Sequence, residues 1–288
     1  MSKYVIFTDS GCDLPLSLTE QWDVKRLSLT FHFEQEGTEY GDGDMQPAAF
    51  YDRMKAGEVA KTAAINMDTF KNAFEEYLKQ GLDVLYIGFS SGLSATYHAS
   101  TLAAEELMEA YPDRRVVTVD TLAASAGQGM LVWLAVEAKK KGGSIDEVAQ
   151  VVEGHKMNLA HWFTVDDLEY LKRGGRVSPA VAFVGGLLGI KPVLHVDNEG
   201  HLIKKGTVRG RKAALKELVN KYMELACAPG AAPIYICNAV CPDDVETLKG
   251  MLKEACGAEV DLVVDIGPVI GAHAGPGTIA VFFLGKER

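Results

Sequence analysis

Residues 67–89, MDTFKNAFEEYLKQGLDVLYIGF, set two hydrophobic periods end to end. Up to Gln80 the side chains of Phe70, Phe74, Tyr77 and Leu78 recur at the spacing of one helix face, and Gly81 supplies a stop. From Asp83 the run DVLYIGF reads as a strand. A helix running straight into a strand marks a parallel sheet wrapped by crossover helices. Outward from this unit the pattern repeats. YVIFTD is a strand ending at Asp9, a helix is expected around 95–110, and RRVVTVD is a strand ending at Asp120. A helix through GMLVWLAVEAKKK closes at Gly142 and Gly143, and Ser144 with Glu147 forms a capping box for the next.

After about residue 160 the pattern changes. KPVLHVDNEGHLIKKGTV, residues 191–208, holds two strand-like runs around Asp197 to Gly200, a hairpin signal of an antiparallel or mixed sheet. Leu215, Leu218, Val219 and Tyr222 mark a helix, PIYICNAV a strand, and Val245, Leu248, Met251 and Leu252 a second helix. Strands EVDLVVDIG and GTIAVFFLG flank a glycine- and proline-rich loop, GPVIGAHAGPG, that carries His273. The expected fold is α/β with two domains: an N-terminal three-layer parallel-sheet domain (1–160) and a C-terminal two-layer mixed-sheet domain (161–288).

Composition narrows the function. A chain of 288 residues with 48% hydrophobic and 24% charged residues is ordinary for a globular protein. Its net charge of -10 argues against nucleic-acid or anionic-membrane partners, which require clustered Lys and Arg. No apolar run reaches the roughly 20 residues that span a bilayer. Asp9 and Asp13 fall where a signal peptide keeps an uncharged core, so a cytoplasmic location is expected. The five cysteines lack a CxxC pair and read as reduced thiols; Cys237 and Cys241 make only a poor metal pair, with no His close in sequence.

Polar clusters follow several strands. TDSGCD (8–13) and FSSGLSATYHAS (89–100) would set hydroxyls and backbone N–H groups on one rim, which suits an anion. Gly88 to Gly92 spells GxSxG, and with Asp265 and His273 supplies the Ser, Asp, His order of a serine esterase acting through Ser90 and His273. No HGGG-type oxyanion loop accompanies it. DDLEYLKRGGRVS presents Arg173 and Arg176 on either side of a Gly-Gly break, each able to grip a carboxylate in bidentate fashion. The phosphate loop ending in Gly-Lys-Ser/Thr and the GxGxxG turn are both absent, so no nucleotide cofactor is expected.

Taken in order, TDS, SSGLSATYHAS, DTLAASAGQGM, DDLEYLKRGGRVS, LLGIKPVL, KGTVRGRKAA and IGPVIGAHAGPGT resemble the DegV family of bacterial fatty-acid-binding proteins, which includes the acyl-carrier subunits of fatty acid kinase. The resemblance runs from residue 5 to residue 285. It implies a non-catalytic protein that holds a long-chain fatty acid such as palmitate between two domains. Such a protein presents the carboxylate to a separate ATP-binding kinase subunit, which makes acyl phosphate for phospholipid synthesis. By motif position the resemblance puts the carboxylate-binding groups at Thr62, Ser94, Arg173 and His273, and partner-facing groups at Arg176 and Arg209.

One segment departs from the family pattern. TAAIN, residues 62–66, keeps Thr62 where the family usually shows Thr-Ser-Gln-Pro-Ser. That departure leaves open a carrier of another amphipathic carboxylic acid, such as a retinoid or sterol acid. Burying a 16-carbon chain is worth roughly 12 kcal/mol at about 0.8 kcal/mol per methylene before binding costs. The carboxylate must then meet hydrogen bonds and positive charge, or desolvation cancels much of that gain.

Overall fold

The computed structural model describes residues 3–182, 189–230 and 233–288; Leu187 and Leu188 of the LLGIKPVL motif lie outside the described residues. The N-terminal half contains strands β1 (Tyr4–Asp9), β2 (Val24–Leu27), β3 (Thr30–Phe33), β4 (Glu39–Gly41), β5 (Ala60–Ala63), β6 (Asp83–Gly88) and β7 (Val116–Asp120). Its helices are α1 (Leu16–Gln21), α2 (Pro47–Lys55), α3 (Met67–Lys79), α4 (Thr96–Ala110), α5 (Ser125–Lys140) and α6 (Ile145–Lys156). The C-terminal half adds β8 (Leu159–Thr164), α7 (Glu169–Arg173), α8 (Pro179–Ala182), β9 (Ile190–Val196), β10 (Leu202–Arg209), α9 (Arg211–Leu225), β11 (Ile234–Asn238), α10 (Pro242–Cys256), β12 (Leu262–Asp265), α11 (Pro268–Ala274) and β13 (Ile279–Leu284).

The first domain is built on a parallel sheet in the order β2-β1-β6-β7. Side-chain alternation sorts its helices into two layers. Phe7 and Tyr86 are cross-strand neighbours on one face, where Phe7 meets Phe74 and Tyr86 meets Phe70 of α3 edge-on. On the opposite face, Gln128 of α5 donates to Thr8, and the Tyr4 hydroxyl donates to the carbonyl of Gly143 beyond α5. Helix α3 starts at Asn66, whose side chain accepts from the Thr69 N–H, and its buried stripe is Phe70, Phe74 and Leu78. The capping box of Ser144 and Glu147 opens α6.

A small antiparallel sheet, β4-β3-β5, lies between these units and has no counterpart in the sequence reading. Its strands are three or four residues long, too short for a period to register. Phe31 and Phe33 hold it against Phe50 of α2.

The second domain is a mixed sheet in the order β10-β9-β8-β13-β11-β12, in which only β11 and β12 run parallel. The chain enters it at Leu159, so residue 160 lies inside β8. Its two faces do different work. Ala160, Trp162, Val193, Ile234, Ile236, Val281 and Phe283 pack with the apolar stripes of α9 and α10. Leu159, Phe163, Leu194, Cys237, Ala280 and Phe282 turn the other way and join the core of the first domain. Gly127 of α5 makes that approach close, since a Cβ there would overlap His161 Nε2. A cavity lies in the seam between the two.

Candidate functional site

The cavity has a volume of about 270 Å³. Its walls are mostly apolar: Leu29, Phe89, Leu93, Phe163, Val196, Leu202, Ile266, Val269, Ile270 and Phe282 contribute from both domains. Polar groups are few, and Thr62, Ser94, Arg176 and His273 are among them. An apolar hollow with a handful of placed polar groups is the usual form of a small-molecule site.

Four backbone devices bring those groups together. Thr62 sits on β5, paired with Phe31 of β3. Ser94 lies just before α4, where its Oγ accepts the Thr96 N–H and stands 2.9 Å from Thr96 Oγ1. His273 rides near the end of α11, and its Nε2 is 2.9 Å from Thr62 Oγ1. Arg176 is placed by the end of α7: Gly175, at φ +73°, donates to the Lys172 carbonyl and Arg176 N–H donates to the Leu171 carbonyl. This pair of bonds is a Schellman turn, which reverses the chain and sends Arg176 back toward the cavity.

The guanidinium of Arg176 is half-buried. Its Nε and Nη2 donate to the Leu93 carbonyl at 3.1 and 2.8 Å, and its Nη1 to the Gly174 carbonyl. Five donors are available and three are used, with no carboxylate paired to it among the described residues. Burial lowers its pKa from the ordinary guanidinium value. His273 is uncharged: burial pushes its pKa down to about 3, and the charges of Arg176 and Lys61 add to the shift. Its Nδ1 is buried without a partner among the described residues, facing Gly174.

The remaining candidates fall elsewhere. Arg173 is exposed on α7, its guanidinium 5.0 Å from the centre of the Tyr170 ring, and does not line the cavity. Arg209 is exposed at the end of β10, whereas Arg176, also expected to face a partner, points inward. Of the two turns expected to form an anion rim, only that of Ser94 reaches the cavity. The Asp9 carboxylate fills the other, accepting from Tyr86, Phe89, Gly11 and Gln128.

The esterase constellation is not assembled. Ser90 Oγ donates to the Gly200 carbonyl and accepts the Gly92 N–H, Asp265 accepts from Asn238, and His273 Nε2 lies against Thr62. Ser90 is fully buried, and among the described residues no base bonds to it to take its proton. A fluorophosphonate probe is expected to leave Ser90 unmodified by peptide mass spectrometry. Cys237 is buried in the cavity wall and Cys241 faces the Thr278 carbonyl; among the described residues no group of three or more His, Cys, Asp or Glu is placed to hold a metal ion.

A parallel-sheet domain and a mixed-sheet domain that meet at a mostly apolar cavity, with the Arg176 guanidinium among its few polar groups, define a two-domain α/β protein. The chain belongs to the DegV family: the model described as "Uncharacterised protein, DegV family" matches residues 3–286. A DegV domain-containing protein of Clostridium perfringens is 46% identical over 291 residues, covering 100% of this chain and 99% of that protein. A fatty-acid-binding DegV family protein from Thermus thermophilus superposes with a TM-score of 0.88 at 31% identity, over 98% of this chain and 99% of that one. A stearic-acid-binding protein from Eubacterium ventriosum gives a TM-score of 0.88 at 25% identity, over 98% of both chains.

Proposed function

We propose that this protein binds a long-chain fatty acid such as palmitate in the interdomain cavity and presents its carboxylate to a separate ATP-binding kinase subunit for conversion to acyl phosphate. One observation carries the reading: a half-buried guanidinium with two free donors and no carboxylate partner among the described residues stands at the polar end of an otherwise apolar cavity. A cation so placed calls for an anion, and an apolar tail fits the space behind it. The related proteins from Thermus thermophilus and Eubacterium ventriosum, which bind fatty acids, support the choice of ligand.

In this reading Arg176 supplies the charge, and Thr62 and Ser94 supply hydroxyl donors. The neutral imidazole of His273, donating from Nε2 to Thr62 Oγ1, leaves the Thr62 proton free to point at the carboxylate. Exposed Arg173 and Arg209 then serve the partner surface. The protein supplies binding and orientation, and phosphoryl transfer belongs to the kinase subunit. The unpaired thiols, including exposed Cys227, fit the reducing cytoplasm.

Denaturing mass spectrometry of protein purified from cells is expected to release one fatty acid per chain, and the emptied protein to take up added palmitate. Finding neither sinks the carrier reading. Adding the kinase subunit and ATP is expected to yield acyl phosphate, trapped as a hydroxamate; its absence removes the presentation step alone.

A further inference from the structure

Helix α11, which carries His273, is fastened to the first domain by two carboxyl groups. Asp13 Oδ1 accepts the Gly267 N–H and Asp42 Oδ1 accepts the Val269 N–H, each at 2.9 Å. Pro268 between them has no N–H to offer. The Tyr51 hydroxyl adds a third link, donating to the Ile266 carbonyl at 3.0 Å. Asp13 and Asp42 are both more than nine-tenths buried, and they converge: a Cβ on Gly267 would lie 3.1 Å from an oxygen of each. Val269, Ile270, His273 and Ala274 of the same helix line the cavity. Whatever frees α11 therefore opens the wall.

The charges around the pair do not balance. Asp9 adds a third buried carboxyl, and Arg26 is a nearby cation; Tyr51, Cys12, Cys237 and Asp265 are further titratable neighbours of the cluster. Ser125 donates to Asp13, and the Ser10 hydroxyl supports Asp42. We propose that Asp13 and Asp42 form a proton-held clasp between the domains, closed while the pair keeps a proton and loosened when the pair loses it, which sets how fast the cavity exchanges its ligand. The clasp takes its role in ligand exchange from the fatty-acid reading above.

Burial is the main cause of the raised affinity for protons: it lifts Asp42 to about 7 and Asp13 well above its usual range, with Asp42 adding repulsion on Asp13. In an opened form, water restores ordinary carboxylate behaviour near a pKa of about 3.9. The open form thus binds fewer protons, and rising pH favours it as the closed form gives up the Asp42 proton. That ionisation is expected to raise the open population about tenfold between pH 6 and 8.5.

Two measurements test this. Transfer of palmitate from the loaded protein to acceptor vesicles is expected to speed up about tenfold over that interval, and to stay flat in Asp42→Asn. In the ligand-free protein, hydrogen-exchange protection of the Gly267 and Val269 amides, corrected for intrinsic pH dependence, is expected to fall in parallel. The exchange experiment needs no fatty acid, so its result stands if palmitate proves not to bind. Should Asp42→Asn fail to fold, Asp42→Ser takes its place, since it also removes the titrating carboxyl. Protection that is flat with pH in the wild-type protein, or equally pH-dependent in the variant, overturns the clasp.

Discussion

Gly174→Ala is expected to weaken palmitate binding by about tenfold or more while leaving the protein folded. Gly174 has φ -73° and ψ -9°, a conformation open to any residue, so no backbone strain accompanies the change. The added methyl group, however, would overlap Nδ1 of His273. The ring must swing away, breaking its contact with Thr62 Oγ1 and releasing the hydroxyl it orients. Hydrogen bonds to a charged group are worth about 1.5–3 kcal/mol, and about 1.4 kcal/mol is a factor of ten in affinity. Calorimetric titration with palmitate checks the loss, and circular dichroism checks the fold. Wild-type affinity in Gly174→Ala would return His273 to a packing role.

The same position shows what a sequence can carry. Gly174 and Gly175 are visible as a helix stop, and their neighbours as candidate cations. The stop becomes a Schellman turn because Gly175 takes φ +73°, and that turn decides which arginine faces the cavity. Arg173, the last residue of α7, leans outward over Tyr170; Arg176, three residues on, comes back to Leu93. Position in a motif does not encode that reversal. In the parallel-sheet domain the longer elements, such as α3 and β6, were legible because each carries a local period, whereas β2, four residues long, was not; the hairpin of β9 and β10 announced itself through its turn.

Helix α11 was not legible, for a different reason. GPVIGAHAGPG holds glycines and prolines that argue locally for a loop. Its helix is held by groups far away in sequence, the carboxyls of Asp13 and Asp42 at its first turn. Gly271 stays a glycine because a Cβ there would overlap the Tyr51 hydroxyl. Three of the four groups expected at the carboxylate, Thr62, Ser94 and His273, line one cavity together; the signal for Arg176 was in the same motif as Arg173, with nothing in the spacing to choose between them.

Arg176→Met and Arg173→Met separate the two arginines. With palmitate bound as proposed, Arg176→Met leaves a carboxylate in an apolar cavity with hydroxyls and no charge. Truncating one partner of a buried charge pair costs about 2–5 kcal/mol, so affinity is expected to fall by about 30-fold or more, mostly through faster dissociation. Methionine keeps much of the apolar stem that packs the cavity wall, which confines the change to the guanidinium. The empty protein is expected to change little in stability, since removal of a half-buried cation offsets the loss of its hydrogen bonds to the Leu93 and Gly174 carbonyls. Arg173→Met is expected to change palmitate affinity less than about twofold, because its side chain is exposed and makes only a surface cation–π contact worth about 0.5–1 kcal/mol. Any loss there should instead show up in acyl phosphate formation with the kinase subunit. A large loss of palmitate affinity in Arg173→Met with none in Arg176→Met would mean that the bound state turns α7 over, bringing the exposed arginine to the carboxylate.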